Sequence, residues 1–431
     1  MNIFLFFACI SILGLIGFGF QIWSVRSKLN TEDKKIGSYI DKTQIPTQTI
    51  NHLPDQSFVP PISILKPLKG LDDNLFDNLE SLCIQDYPRY EIIFSLQDHN
   101  DHAHKVAMKI KEKYPDRDIT VLVKRCSAGL NPKVNNLIPA YGRAKYEYIL
   151  VSDSNVMVDK NYLNKIVRHM EHPEVGLVSN VIQGIGGRSF GAIFENLHMN
   201  SFVIGSVCFL EKFLKMPCVV GKSMLMRRRD LDAIGGFAGV KDVLAEDYII
   251  GKKMRAHRKR VILSEYLIKN VNEYWGIKKF LNRHTRWGKL RWRIGGMRYV
   301  SELLTNAVFM AFLPIVFWEP TRMTISFAIL VSSIKVLGDL YLNSLIQEHN
   351  SEKNTDLETS LPPLSPLYYL LSPVKDLIIG IVWFIPLISN TVVWRGNRYI
   401  ISKDSALSPH NGSKIWGLSY RFLAVVKARF A

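Results

Sequence analysis

The first long apolar run, residues 3–23, is interrupted only by Ser11 and Gln21, and it suits the ~20 residues that a helix needs to cross a bilayer. It exceeds the about 7 to 15 residues of a signal-peptide core and has no basic residue before it, which favours an anchor. Arg26, Lys28, Lys34 and Lys35 follow, so the positive-inside rule puts the next domain in the cytosol. Residues 26–60 are polar, with Pro46, Pro54 and Pro60, and read as a juxtamembrane linker. The period then changes. Residues 62–65, 90–97, 119–123 and 147–152 have strand patterns. They alternate with helical patterns ending near Cys83, over 102–114 and, despite Pro139, over 133–143. Asp72 or Asp73 would cap the first helix. This alternation predicts an α/β domain over 61–274, with a mainly parallel sheet covered on both faces.

A second half of that domain is expected from a strand near 175–182, a glycine-rich turn at 184–187, helices over 190–207, 229–234 and 245–256, and a strand at 224–226. Residues 275–299 interleave Lys278, Lys279, Arg283, Arg286, Lys289, Arg291, Arg293 and Arg298 with Phe280, Trp287 and Trp292. Such a segment lies flat at a bilayer surface, cations toward phosphate and rings toward acyl chains. Apolar stretches at 303–318 and 325–340 follow, then a third at 364–394 broken by Pro366, Pro373, Asp376 and Pro386. Residues 300–394 are therefore expected to be membrane segments and 395–431 a basic tail. Three full spans would leave that tail outside, against the charge rule, so the third stretch is expected to be partly re-entrant or interfacial.

With 431 residues, 47% of them hydrophobic, there is room for a globular core and several spans. A net charge of +17 suits an anionic bilayer, a phosphorylated substrate or nucleic acid; the apolar stretches after residue 299 argue against nucleic acid. Five widely spaced cysteines without a C-x-x-C indicate neither a disulfide framework nor a zinc site, and point to a reducing compartment.

Ligands of a parallel sheet bind beyond the carboxyl ends of its strands, where Lys66 to Lys69, Gln97-Asp98 and Asp153-Ser154-Asn155 all fall. Asp98 suits a nucleotide base or ribose, or an Asx turn. Asp153 with its oxygen-bearing neighbours suits a hard divalent cation, Mg2+ or Mn2+, shared with substrate phosphates, or a plain turn. Lys133 and Asn135 suit a diphosphate or sugar hydroxyl, or an ordinary helix start. Glu246-Asp247 at a helix start is explained by capping alone, or by Asp247 acting as a general base. Gly184-Ile-Gly-Gly lacks the spacing of a dinucleotide fingerprint, and His99, His102 and His104 lack cysteine partners for zinc.

These pieces together resemble the ceramide glucosyltransferase family of membrane-bound inverting glycosyltransferases. The resemblance runs through Ile64-Leu-Lys-Pro-Leu-Lys-Gly70, Gln85-Asp-Tyr-Pro88, Gln97-Asp-His99, Asn131-Pro-Lys-Val-Asn-Asn-Leu137, Asp153-Ser154, Ala245-Glu-Asp-Tyr248 and Arg283-His-Thr-Arg-Trp287. It implies a nucleotide-sugar-binding (GT-A-like) fold, a UDP-sugar donor, a divalent cation and transfer to a lipid hydroxyl. By that likeness Asp98, Asp153 and Asp247 match the family's three aspartates. Lys66 and Lys133 join the sugar-donor side, and Arg283, Arg286 and Trp287 the leaving-group or acceptor side. UDP-glucose and ceramide are the implied substrates; another sugar on a hopanoid, or an inactive lipid-binding scaffold, are the alternatives. An integral membrane protein with a cytosolic catalytic domain is implied, in the Golgi of a eukaryote or the cytoplasmic membrane of a bacterium. Two departures bear on the acceptor: Val203 stands where animal members carry a histidine, and their late Trp-Arg-x-Gly-Arg-Tyr run reads Trp394-Arg-Gly-Asn-Arg-Tyr399.

Overall fold

Alternating apolar positions send Ile62 and Ile64 to one face of the central sheet and Leu65 to the other, and both faces are buried. The computed structural model describes residues 3–30, 58–216, 218–353, 361–394 and 397–410. Its main sheet contains β1 (Ile62–Pro67), β2 (Tyr90–Leu96), β3 (Ile119–Val123), β4 (Tyr148–Ser152), β5 (Val156–Met157), β6 (Val175–Gly186), β7 (Ser223–Arg227) and β8 (Arg260–Asn272). The order is β3-β2-β1-β4-β7-β6-β8-β5. All strands but β5 and β7 run the same way, so the sheet is mixed and mainly parallel.

Helices Leu75–Cys83, His102–Lys113 and Tyr162–Val167 cover one face; Pro132–Arg143, Arg228–Ala233 and Glu246–Ala256 cover the other. Pro139 sits inside helix Pro132–Arg143 and leaves the Asn135 carbonyl without its intrahelical partner. Gln97 donates to that carbonyl at 3.1 Å, which lets the helix continue. The expected cap of helix Leu75–Cys83 is corrected: Asn74 precedes it in a left-handed conformation without a side-chain cap. Asp72 instead accepts from Ser154, and Asp73 accepts from the amides of Glu273 and Tyr274. Both acids tie the start of the domain to its far strands.

β8 had no counterpart in the sequence patterns, and neither did β5. A second sheet, β9 (Thr391–Trp394), β10 (Asn397–Ile401) and β11 (Leu407–Pro409), forms an antiparallel meander after the last apolar stretch. It packs on the α/β domain through Leu244 and Leu130, and Val243 bridges Ala406. Most of the expected linker, residues 31–57, and the tail beyond 410 lie outside the described residues.

Helices Ile3–Leu29, Phe190–Leu214, Arg322–Ser351 and Pro366–Ile388 are long and apolar enough to cross a membrane. The second is mostly buried inside the protein. Helices Ile277–Leu304 and Ala307–Phe317 form a pair bent by 70°, so the basic aromatic segment is a helix that turns sharply into an apolar one. These apolar helices fit a membrane protein.

Candidate active site

Asn131 fixes the first part of the site. Its side-chain oxygen caps helix Pro132–Arg143 by accepting from the amides of Lys133 and Val134. Its side-chain nitrogen donates to the Val243 carbonyl at 2.8 Å and to Glu246 at 3.1 Å. One asparagine therefore positions both the lysine at one helix start and the acids at another. Lys133 Nζ then lies 2.8 Å from Asp153 Oδ1 and 2.9 Å from Glu246 Oε1, and donates to the Gly221 carbonyl at 2.8 Å.

Asp153, just past β4, has its other oxygen 3.0 Å from Lys222 Nζ. Burial alone would raise its pKa, but the two ammonium groups outweigh it and hold the carboxyl below its usual range. Burial pulls the Lys222 ammonium down, opposed by Asp153 and reinforced by the Arg283 guanidinium. Lys133 is raised, its acids overcoming the cost of burial.

Asp247 stands in the first turn of helix Glu246–Ala256 and is half-buried. Its Oδ2 accepts the Gly221 amide at 2.9 Å, and its Oδ1 the Tyr248 amide at 2.7 Å. A Cβ on residue 221 would lie 2.4 Å from Oδ2, so this approach requires glycine. Burial and the neighbouring Glu246 raise Asp247 to about 6. A carboxylate with that pKa, still ionised at neutral pH, is suited to accepting a proton.

Helix Ile277–Gly295 supplies a second layer. Arg283 Nε lies 3.1 Å from Glu195 Oε1, and its guanidinium sits 5.1 Å from the Trp275 ring and 4.3 Å from the Trp287 ring. His284 holds the other Glu195 oxygen at 3.0 Å. Arg286 lies 5.9 Å from the Trp394 ring of β9.

Two expected residues are placed differently. Lys66 is fully buried beneath the strand ends and donates to Ser152 at 3.4 Å and the Val156 carbonyl at 3.1 Å. Burial lowers its pKa to about 7. Asp98 is exposed after β2 and accepts the Asn100 amide at 2.9 Å, as an Asx turn does. Asp153, Lys133 and Asp247 converge, with Arg283 close enough to perturb Lys222.

Among the described residues no three His, Cys, Asp or Glu side chains form a metal cage. Asp153 is the carboxylate that fits a divalent cation, in the manner of one acid plus substrate phosphates; its Oδ1 is buried and, despite the nearby Lys133, has no well-aligned hydrogen bond.

Residues 30–407 match Glycosyl transferase family 21. The chain belongs to that family. It is a glycosyltransferase. Ceramide glucosyltransferase 3 of Caenorhabditis elegans is 28% identical over 82% of this chain and 76% of that one. Ceramide glucosyltransferase 1 of the same organism is 30% identical over 58% of this chain and 54% of that one. Among solved structures, a mannosyltransferase from Pyrobaculum calidifontis in complex with GDP-Man and Mn2+ aligns at a TM-score of 0.48 and 16% identity, covering 88% of this chain and 99% of that one.

The sequence patterns of this glycosyltransferase concealed Lys222, Gly221 and Glu195. β7 runs against its neighbours, so its beginning, not its end, reaches the carboxyl edge of β4. The Gly221-Lys222 pair just before it was the available signal. Glu195 lies in a largely apolar helix and is fully buried; an acid there needs a partner, and Arg283 with His284 provides it.

Proposed function

We propose that the enzyme moves glucose from UDP-glucose to the hydroxyl of a membrane lipid, ceramide, by a single displacement that inverts the anomeric carbon. The observation that carries the chemistry is the joining of Asp153 and the Glu246-Asp247 pair through Lys133, with Asp247 raised to about 6. Asp247 takes the proton from the acceptor hydroxyl as its oxygen attacks C1. The bond from C1 to the phosphate oxygen breaks, and the electron pair leaves with UDP. Lys133, Lys222 and Arg283 form a cationic side for that diphosphate, since guanidinium and ammonium groups bind phosphate by charge-assisted hydrogen bonds. A divalent cation held by Asp153 would supply further charge neutralisation to the phosphates. Trp287 and Trp275 hold Arg283 between rings, and Arg286 completes the basic face.

The names of the relatives support ceramide and glucose as the substrates. A catalytic domain facing the cytosol follows from the basic residues after the first helix, in the Golgi of a eukaryote or the cytoplasmic membrane of a bacterium. The test is expression in a host without glycosphingolipids, followed by lipid mass spectrometry. Glucosylceramide is expected from the wild type. Asp247→Asn should keep UDP-glucose binding and lose about 10²- to 10⁴-fold in transfer. Full activity in that variant removes the base, and a hexosylated lipid of another class removes the acceptor.

A further inference from the structure

The Lys222 ammonium stands where a bound cation would. Its Nζ lies 3.0 Å from Asp153 Oδ2 and donates to Asn155 Oδ1 at 2.7 Å, so one ammonium is shared by two oxygens of the turn after β4. Ser154, between them, faces elsewhere and donates to Asp72. A carboxylate and an amide oxygen are the ligands that hard divalent ions prefer. A divalent cation and this ammonium therefore compete for the same two oxygens.

Two lysines flank Asp153, and their other partners decide which of them gives way. Lys133 has an acid of its own, Glu246 at 2.9 Å, and also donates to the Gly221 carbonyl at 2.8 Å. For Lys222, Asp153 is the one carboxylate within ion-pair distance among the described residues, and the Arg283 guanidinium is close enough to disfavour its charge. Lys222 is the weaker-held of the two. Parting it from Asp153 leaves a largely buried ammonium without a counter-ion, which is costly, so a second anion has to arrive before it can leave. The diphosphate of a nucleotide is such an anion, since ammonium groups bind phosphate by charge-assisted hydrogen bonds. The exchange asks only the side chain to move: the Lys222 carbonyl accepts the Asp153 amide at 3.1 Å, and the preceding Gly221 amide stays on Asp247.

We propose that Lys222 is the internal counter-ion of Asp153 in the donor-free enzyme: an arriving divalent cation displaces its ammonium from Asp153 and Asn155, and the ammonium passes to the diphosphate that comes with the cation. No covalent bond changes in this exchange. The inference rests on the nucleotide-sugar reading above and adds a coupling to it. Cation and nucleotide bind as a linked pair, each weakly without the other. Such coupling is reciprocal and typically about 5- to 150-fold.

The test titrates the full chain in detergent with Mn2+, followed by electron paramagnetic resonance, with and without UDP, whose own binding is followed by calorimetry. Lys222→Met, which keeps the bulk and removes the charge, should bind Mn2+ at least about fivefold more tightly than wild type when no UDP is present, and UDP should then add less affinity than it adds to wild type. A lysine with only a structural role would lose affinity on replacement, not gain it. Lys222→Arg, which keeps the charge, should stay as weak as wild type, and Asp153→Asn should bind Mn2+ weakly with or without UDP. No tightening in Lys222→Met, equal tightening in Lys222→Arg, undiminished coupling, or full Mn2+ binding by Asp153→Asn overturns the proposal. If Lys222→Met does not fold, Lys222→Gln takes its place with the same expectations. Wild-type protein that binds no UDP, beside a Lys222→Met that still tightens on Mn2+, would instead overturn the donor reading and leave the counter-ion standing.

Discussion

Replacing Gly221 with alanine tests the base through its support and leaves the carboxylate itself in place. The new Cβ would lie 2.4 Å from Asp247 Oδ2 and 2.9 Å from its Cβ and Cγ. The carboxylate must turn away and give up the Gly221 amide, which donates at 2.9 Å and lowers its pKa. Two effects follow, and their sizes separate them. Losing the amide raises the Asp247 pKa above its present value of about 6. If that rise is about one unit, the ionised fraction at about pH 7 falls only from roughly nine-tenths to one-half, a twofold loss. Misplacing a catalytic group by about 1 Å costs about 10²-fold. Geometry should dominate. Transfer by Gly221→Ala is therefore expected to drop about 10²-fold at neutral pH, with only about twofold regained at about pH 8.5. The assay is glucosylceramide formation across pH by the full chain, alongside UDP-glucose binding, which should change only a few-fold. Wild-type rate at neutral pH would show that Asp247 need not hold this position, and full recovery at alkaline pH would show that charge alone mattered.

Three further outcomes follow from neighbouring groups. Lys66 titrates near 7 when folded against 10.5 when free; the unfolded chain then binds more protons between those values, so stability should rise with pH from about 7 to 9 by at most ~1.4 kcal/mol per unit. Thermal unfolding of the detergent-solubilised protein should show that rise and Lys66→Met should flatten it; an equal rise in the variant refutes the assignment. Because Asp153 is a single acid beside two ammonium groups, Mn2+ should bind weakly to the protein alone and measurably once UDP is added, as followed by electron paramagnetic resonance; tight binding without nucleotide would mean a preformed cage. Arg283→Lys loses the fork geometry and the stacking between Trp275 and Trp287, so kcat should fall at least about tenfold while the protein still folds; an unchanged kcat would leave Arg283 with only its Glu195 contact to maintain.

The parallel half of the sheet was legible because its strands are short apolar runs separated by helical periods, and β1 to β4 form where those runs lie. β8 was hidden by Ser264, Glu265, Lys269, Asn270 and Asn272, which break the apolar pattern. Several of these have partners: Ser264 bonds His169, and Asn272 donates to Asn196 at 2.8 Å. Burial of polar groups is paid for by contacts distant in the chain, and local periodicity does not register them. The same holds for the site. Asp153 and Asp247 were visible as acids at element ends, whereas Lys222 was concealed by a reversed strand and Lys66 pointed inward. The antiparallel meander was missed because its strands are only three to five residues long.

That meander has a consequence for how the enzyme is made. The Ser405 carbonyl accepts the Leu244 amide at 2.9 Å, its hydroxyl accepts the Ala245 amide at 3.3 Å, and Asp404 holds Lys252 at 2.7 Å. The turn that presents Asp247 is thus braced by residues more than a hundred and fifty positions later in the chain, beyond the apolar helix Pro366–Ile388. The first turn of helix Glu246–Ala256 therefore takes its final shape only once the chain beyond helix Pro366–Ile388 has folded back onto the α/β domain.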